Sequence, residues 1–375
     1  MPASTPTRKR QREQAATTGA TQRTLRVVAI GGGTGLSTLL RGLKRYVASP
    51  LGTSAAGTPN CPNTPCLISD LAAIVTVTDD GGSSGRLRED FKMLPPGDLR
   101  NCMVALSEDE HMLSQLFQYR FASGEGLEGH SFGNLFLAAL SGITGDFVQA
   151  IHMSSQILAT RGHIYPSTAS NVTLAARMDD GTLVQGETSI TASQRRIVQL
   201  MLVPAEAEPL PQTLEAIANA DLITIGPGSL YTSLITNLLV RGIPEAIAVA
   251  KGTRVYICNL MTQANESIGL TASQHIERIY EHTGQPIFDY ALVNISHVSD
   301  ALRLQYAAEK AQPIEPDLDR ISTLGVHPMP GNFVYEGGVL RHDYDRVTEA
   351  LISLGFAGRV RPTTTSSRWR SFFRR

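Results

Sequence analysis

The fold prediction starts from one stretch, Arg26-Val27-Val28-Ala29-Ile30-Gly31-Gly32-Gly33-Thr34-Gly35-Leu36-Ser37-Thr38-Leu39-Leu40. An apolar, β-branched run passes into glycines and then into an apolar helical pattern, which is typical of a parallel strand, a tight turn and a crossover helix. Glycines let an anion approach backbone N–H groups at the positive end of the helix that follows. The stretch therefore predicts a phosphate-binding turn. Its predicted binding residues are Gly31, Gly32, Gly33, Thr34, Gly35 and Ser37.

This glycine turn departs from the two best-known phosphate motifs. The dinucleotide fingerprint G-x-G-x-x-G needs glycine where this chain has Leu36, and no lysine follows as in a P-loop. The pattern therefore favours a nucleotide or sugar phosphate and weakens the interpretation as a standard NAD site. A tight strand-to-helix turn without a ligand is the alternative.

A pair of aspartates follows the second predicted strand, residues 73–77. Parallel strands end at the same sheet edge, so Asp79 and Asp80 are expected to face the glycine turn. Three interpretations stay open: a carboxylate on ribose hydroxyls, an Asp79/Asp80 site for Mg²⁺ beside a diphosphate, or an Asx turn. Neighbouring residues on a strand point to opposite sides, so at most one aspartate is expected to contact the ligand directly. Three further residues are predicted to bind the ligand, namely Gly81, Gly82 and Ser83.

Two helix starts carry polar residues that suit an anion. Asp98 is a natural N-cap for a helix beginning at Leu99, and Arg100 and Asn101 lie in the first turn of that helix. Arginine there opposes the helix dipole unless an anion is present, so Arg100 and Asn101 are predicted to bind the ligand. The second start has the sequence Gly129-His130-Ser131-Phe132-Gly133-Asn134, in which Ser131 is the predicted N-cap and a predicted ligand contact. His130 is interpreted either as a phosphate contact or acid/base group, with Asn134 as a ligand contact, or as a structural histidine.

A second glycine turn repeats the pattern of the first. Residues 221–225 form an apolar strand, and Gly226-Pro227-Gly228-Ser229 leads into another helical pattern. Two such turns at one sheet edge predict a ligand with two anchored parts, such as a diphosphate-linked conjugate. Asn259 ends a later strand and is expected at the same edge. The alternative for the second turn is a plain loop.

The alternation of strands and helices predicts a doubly wound, mostly parallel, Rossmann-like α/β sheet. Asp179-Asp180-Gly181 between β-type runs predicts an antiparallel hairpin elaboration over residues 170–192. The predicted organisation is a single α/β domain over residues 25–358. The remaining predicted segments are a polar surface insertion, 49–65, and two basic, disordered tails, 1–24 and 359–375.

Composition excludes several classes of protein. The 375 residues carry a net charge of −1, which gives no general attraction to nucleic acid. No apolar run is long enough to span a bilayer and no signal peptide is recognisable, so a cytoplasmic protein is expected. Four scattered cysteines argue against a disulfide framework, and the histidines show no metal-ligand spacing.

Together, five motifs resemble the YvcK branch of the CofD-like superfamily over about residues 26–355. The motifs are Gly31-Gly32-Gly33-Thr34-Gly35, Asp79-Asp80-Gly81-Gly82-Ser83-Ser84-Gly85, Pro96-Gly97-Asp98-Leu99-Arg100, Gly129-His130-Ser131-Phe132-Gly133-Asn134 and Gly226-Pro227-Gly228-Ser229-Leu230. The resemblance implies a cytoplasmic factor that binds UDP-activated sugars and is needed for growth and cell shape on gluconeogenic carbon. CofD relatives are Mg²⁺-dependent transferases that move a phospholactyl-type group from a guanosine diphosphate conjugate to a deazaflavin alcohol.

Three functions are therefore carried forward. The first is a regulatory protein that binds a UDP-sugar or another nucleotide diphosphate, with a homo-oligomer and cell-wall or carbon-metabolism proteins as candidate partners. The second is a Mg²⁺-dependent transferase of the 2-phospho-L-lactate type, with Asp79, Asp80 and His130 as candidate catalytic residues. The third is an NAD(P)-binding oxidoreductase, which Leu36 disfavours.

Overall fold

A computed structural model describes residues 24–50, 61, 65–108, 112–193, 195–264 and 266–359. The predicted basic tails fall almost entirely outside these residues, as does most of the predicted surface insertion 49–65. The predictions made for those segments are therefore not addressed by the structure.

The described residues form twelve strands. In chain order they are β1 (Leu25–Gly31), β2 (Ile68–Val75), β3 (His163–Pro166), β4 (Thr173–Met178), β5 (Leu183–Gln185), β6 (Ile197–Val203), β7 (Leu222–Ile225), β8 (Thr253–Ile257), β9 (Tyr290–Asn294), β10 (His327–Gly331), β11 (Val334–Glu336) and β12 (Leu340–His342). Seven of them make one parallel sheet in the order β10-β9-β8-β7-β1-β2-β3. The predicted fold class, a doubly wound parallel α/β sheet, is confirmed.

Helices connect and cover these strands. In chain order they are α1 (Gly33–Leu43), α2 (Gly82–Phe91), α3 (Gly97–Leu106), α4 (Met112–Gln118), α5 (Phe132–Thr144), α6 (Phe147–Ile157), α7 (Glu187–Ala192), α8 (Pro211–Asn219), α9 (Thr236–Leu238), α10 (Ile243–Val249), α11 (Ala272–Thr283), α12 (Asp300–Ala308), α13 (Leu318–Thr323) and α14 (Tyr344–Gly358). A 3₁₀ turn, Lys44–Tyr46, extends α1, and a π-helical segment, Leu230–Ile235, leads into α9.

The core is centred on β1, which pairs with β2 on one side and β7 on the other. Val27, Val28, Ala29 and Ile30 are all buried, because helices cover both faces of the sheet. A parallel strand buried on both faces reads as a continuous apolar run rather than an alternating one. The pattern at residues 26–30 therefore marks the centre of the sheet.

The two edge strands of the large sheet, β3 and β10, are absent from the sequence prediction. Both contain proline: Pro166 in β3, and Pro328 and Pro330 in β10. Proline has no N–H to donate to a neighbouring strand, and within sheets it is found mainly on edge strands. A segment that contains proline therefore does not show the pattern from which a strand is predicted. The second strand is also longer and earlier than predicted, beginning at Ile68 rather than Ala73.

The antiparallel parts of the molecule form two small sheets. β4 pairs with β5 and β6, and β11 pairs with β12. The hairpin predicted around Asp179-Asp180-Gly181 is therefore present, as the connection between β4 and β5. The β11–β12 hairpin lies directly before α14.

The cysteines require a correction. Cys61 and Cys66 are joined in a disulfide that closes a loop with a sequence separation of 5, whereas no disulfide was expected from the sequence. Cys102 and Cys258 are buried free thiols. In the part of the chain that the structure describes, no helix is long and apolar enough to cross a bilayer.

Candidate functional site

A cleft of about 700 Å³ opens at the carboxyl ends of β1, β7 and β8. This is where ligands bind in open parallel sheets, and its size is ordinary for a small-molecule site. Residues of β12, of α12 and of the start of α14 form its far wall. Nine of the residues predicted to bind a ligand line it: Gly32, Gly33, Thr34, Gly35, Asp79, Pro227, Gly228, Ser229 and Asn259.

The first glycine turn presents the start of α1 to this cleft. The N–H groups of Thr34 and Gly35 have no carbonyl partner within the helix, because they belong to its first turn. Both residues line the cleft. Ser37 is not among the lining residues, and its hydroxyl donates back to the Thr34 carbonyl over 3.1 Å. Gly31 ends β1, where its carbonyl accepts from the Thr76 N–H and the Asn237 amide.

Asp98 does not cap its own helix, contrary to the sequence prediction. Helix α3 begins at Gly97 with Pro96 in the cap position, and no side chain caps it. The Gly33 N–H instead donates to the Asp98 carboxylate over 2.7 Å. Burial raises the pKa of Asp98 to about 6, and Asp79 adds to the shift, whereas the Gly33 N–H and Arg100 oppose it. A carboxylate from a distant helix thus lies at the start of α1.

The two glycine turns lie side by side. A β-carbon at position 35 would be 2.4 Å from the Pro227 carbonyl oxygen, so only glycine permits this approach. Adjacent pairing of β1 and β7 brings the turns together. The prediction that both turns belong to one sheet edge therefore holds in the structure.

The second glycine turn, however, uses its polar groups internally. The Asn259 amide accepts from the Gly228 N–H over 3.2 Å and donates to the Gly228 carbonyl over 2.7 Å. Glu266 accepts from the Tyr231 N–H and the Thr232 hydroxyl at the start of the π-helical segment. Burial raises the pKa of the Glu266 carboxyl, and its hydrogen bonds with Thr232 and Tyr231 oppose the shift. Asn259 therefore braces a loop, a role that its position after β8 did not reveal.

The side chains of Asp79 and Asp80 point to different places. Asp79 lines the cleft, and one of its oxygens accepts from the Gly81 N–H over 2.9 Å, which is an Asx-type contact. The Asp80 carboxylate accepts from the Thr188 N–H over 2.9 Å and from the Thr188 hydroxyl over 2.6 Å at the start of α7. Asp79 is thus the one of the pair that faces a ligand position.

The described residues contain no cluster of three or more His, Cys, Asp or Glu side chains that could hold a metal ion. A magnesium ion at Asp79 would therefore need most of its ligands from phosphate oxygens and water, which is a common arrangement for Mg²⁺. The predicted Asp79/Asp80 metal site remains a prediction.

Glu187 is a cleft residue that the sequence analysis missed. It begins α7 and accepts from the Thr78 hydroxyl over 3.0 Å. Burial and then the negative charge of Asp79 raise the pKa of Glu187 to about 8. No local pattern marked this residue, because α7 is short and lies in the small antiparallel layer.

The remaining predicted residues are grouped away from the cleft wall, in a polar network between α2, α3 and α5. Ser83 bonds His130 Nδ1 over 3.0 Å and accepts from the Asn134 amide over 3.1 Å. Ser131 caps α5 as predicted and accepts from Arg100, which also donates to Asn101. Burial lowers the pKa of His130, which favours the neutral imidazole. Of the other predicted residues, Gly81 and Gly82 begin α2, and Gly226 follows β7.

Two more residues on the far wall escaped prediction. Arg341, on β12, is the one arginine or lysine among the described residues that line the cleft, and it is exposed. Tyr306, on α12, lines the cleft as well, and its hydroxyl accepts from the Leu340 N–H over 3.1 Å. A cation and an aromatic ring thus line the same cleft as the first glycine turn.

Comparison with known proteins adds to this geometry. A family model described as 2-phospho-L-lactate transferase CofD matches residues 27–334. The chain is 46% identical over 342 residues to a protein of Halalkalibacterium halodurans named "Gluconeogenesis factor", covering 91% of this chain and 98% of the relative. A Bacillus subtilis protein of the same name is 43% identical over 330 residues, covering 88% of this chain and 98% of the relative.

A solved structure agrees with these relatives. A crystal structure of a Bacillus halodurans protein, described as a member of the upf0052 family, matches with a TM-score of 0.80 and 47% sequence identity. The match covers 88% of this chain and 99% of that chain.

Proposed function

The chain belongs to the CofD-like family, in its gluconeogenesis-factor (YvcK) branch, and we propose that it is a regulatory protein that binds a UDP-sugar. The names of its relatives support a function related to gluconeogenesis. The finer proposal is that UDP-sugar binding couples the level of that metabolite to growth and cell shape on gluconeogenic carbon.

One observation carries the proposal of a diphosphate ligand. Thr34 and Gly35, whose N–H groups belong to the first turn of α1 at its positive end, line the cleft beside the second glycine turn. Helix starts of this kind bind phosphate groups because N–H donors and the helix dipole act together.

The far wall supports a nucleotide or sugar beyond the phosphates. Arg341 can pair with a phosphate oxygen, and Tyr306 can pack against a base or a sugar ring. Three residues with hydroxyl or amide side chains, Ser229, Thr262 and Gln263, line the same cleft and suit sugar hydroxyls. These groups favour a conjugate over a free phosphate.

A transferase is the second candidate, and Asp79 is the observation that favours it. Its carboxylate lines the cleft together with both glycine turns, so it could hold a magnesium ion brought in with a nucleotide diphosphate. When bound, such an ion would neutralise charge on the phosphates. Asp98 and Glu187 line the same part of the cleft.

Calorimetric titration separates the two functions. UDP-N-acetylglucosamine, UDP-glucose, UDP, GDP and NAD are titrated with MgCl₂ and with EDTA, and each mixture is then assayed for released nucleoside monophosphate. Saturable binding of a UDP-sugar without turnover is expected. Binding restricted to GDP, or Mg²⁺-dependent release of a monophosphate, would favour the transferase.

Arg341→Ala tests whether the far wall of the cleft contacts the ligand. We expect about a tenfold weaker Kd for the UDP-sugar, because a charge-assisted hydrogen bond to phosphate is lost, and an unchanged Tm because Arg341 is exposed. Arg303→Ala removes an exposed arginine from α12, outside the cleft, and serves as the matched control. Equal Kd values for both variants would exclude Arg341 from the site.

A further inference from the structure

The carboxylate of Asp98 lies where a phosphate oxygen would be expected. It accepts the first N–H of α1, that of Gly33, over 2.7 Å. The turn is shaped around this contact: a β-carbon at position 32 would lie 2.8 Å from Asp98 Oδ2 and 2.5 Å from the Thr76 methyl group. The glycine at position 32 therefore makes room for the protein's own carboxylate.

This contact is a poor source of stability. Asp98 is half-buried and shares the cleft with Asp79, which repels its negative charge. Burial is the largest cause of its raised pKa, and Asp79 adds to the shift. Arg100 attracts the charge but is bonded to Ser131 and Asn101 instead. Cys102, which also faces Asp98, is a buried neutral thiol.

An incoming phosphate would meet this carboxylate. A single N–H group makes one strong hydrogen bond, so a phosphate oxygen and the Asp98 carboxylate compete for Gly33. Two negative groups a few ångströms apart in a partly buried cleft also repel each other. Either the carboxylate leaves when phosphate binds, or it weakens the binding.

We propose that Asp98 is a built-in placeholder for the ligand phosphate: it accepts from the Gly33 N–H until a phosphate binds, and is then displaced from it. The inference rests on the proposed function, because it concerns the phosphate that the cleft takes. Asp98 thereby lowers the affinity of the site and sets the ligand concentration to which the protein responds.

Asp98→Asn tests the placeholder, because the amide oxygen can still accept from Gly33 while the charge is lost. UDP-N-acetylglucosamine is titrated in EDTA into the wild type, Asp98→Asn and Asp90→Asn, the last being an exposed aspartate on α2 outside the cleft. We expect the Kd of Asp98→Asn to fall at least about threefold, with Asp90→Asn unchanged. An equal or weaker affinity for Asp98→Asn would overturn the placeholder and assign Asp98 to the ligand or to a cation.

A second measurement does not depend on the variant folding. In wild-type protein labelled with ¹⁵N-glycine, the Gly33 amide signal is expected to shift as UDP-N-acetylglucosamine is added, while that of Gly126, on an exposed loop, stays in place. A stationary Gly33 signal at saturation would overturn the placeholder alone. Absence of binding by every variant would instead overturn the proposed function.

Discussion

The two glycine turns share a sequence pattern and differ in how their amides are used. After β1, Thr34 and Gly35 line the cleft with N–H groups that have no carbonyl partner within α1, and the Gly33 N–H donates to Asp98. After β7, the Asn259 side chain accepts from the Gly228 N–H and donates to the Gly228 carbonyl. Glu266, which is 7% exposed, accepts hydrogen bonds from Tyr231 and Thr232 at the start of the π-helical segment that follows.

This difference shows that a strand-glycine-helix pattern determines the path of the backbone. The pattern does not determine whether the backbone N–H groups of the turn bind a ligand or other parts of the protein. The deciding partners are remote in sequence: Asp98 is 65 residues from Gly33, and Glu266 is 35 residues from Tyr231. In our account, the first turn binds phosphate and the second turn supports it through the close contact between Gly35 and Pro227. Each prediction below tests that division.

The largest effect is expected from Glu266→Ala. Its loss leaves the buried Tyr231 N–H and Thr232 hydroxyl without an acceptor, so the free energy of unfolding should fall by about 2–4 kcal/mol. Asp98→Asn should change it by less than about 1 kcal/mol, because the Gly33 N–H keeps an acceptor and a repelled charge is removed. Urea unfolding monitored by circular dichroism measures both.

The control for this pair is Glu281→Ala, which removes an exposed glutamate from α11 and should stay within about 0.5 kcal/mol of the wild type. If Asp98→Asn destabilised the protein as much as Glu266→Ala, the two carboxylates would have the same structural role. The proposed difference in role between the two glycine turns would then be wrong.

Asn259→Ala should have a smaller effect on the second turn. Two hydrogen bonds to Gly228 are lost, and we expect the free energy of unfolding to fall by about 1–2 kcal/mol. Asn219→Ala, at the exposed end of α8, is the matched control. A variant of wild-type stability that nevertheless binds no UDP-sugar would show that Asn259 contacts the ligand, as the sequence analysis predicted.

The last prediction concerns pH and Glu187. The pKa of this carboxyl is about 8 in the folded protein and 4.5 as its ordinary value, so between these pH values the folded state holds the extra proton. The free energy of unfolding must therefore decrease as pH rises through this window. Glu187→Gln cannot titrate at this position, so its free energy of unfolding should not show this decrease. The difference in free energy of unfolding, variant minus wild type, should therefore be at least about 1 kcal/mol larger at pH 8 than at pH 5.

Urea unfolding at pH 5, 6.5 and 8 measures this difference, with Glu281→Ala again as the control. Parallel pH profiles for Glu187→Gln and the wild type would mean that Glu187 is ionised in the folded protein. Glu187 would then add a negative charge to the cleft at neutral pH.

Much of the fold could be predicted because the central strands are encoded locally. β1 and β7 are short apolar runs bounded by glycine, and the Asp179-Asp180-Gly181 turn marks its own hairpin. The edge strands β3 and β10 could not be predicted, because proline weakens the strand pattern where the sheet ends. Pairing across the sheet, rather than local preference, makes these segments strands.

The site was predictable in position and less so in detail. Both glycine turns and Asp79 do line one cleft, since parallel strands end at one edge. The partner of each polar side chain was not predictable: Asp98 bonds Gly33 instead of capping α3, and Asp80 bonds Thr188. Arg341 and Tyr306 were missed because they reach the cleft from elements distant in sequence, and no local motif surrounds them.

A crystal structure of the protein with UDP-N-acetylglucosamine is the most direct test of the division between the turns. Our account predicts phosphate oxygens within hydrogen-bond distance of the Thr34 and Gly35 N–H groups, with Asp98 moved off Gly33 and the Asn259 and Glu266 contacts retained. Phosphate on the Gly228 and Tyr231 N–H groups, with Asn259 or Glu266 displaced and Asp98 still on Gly33, would contradict it.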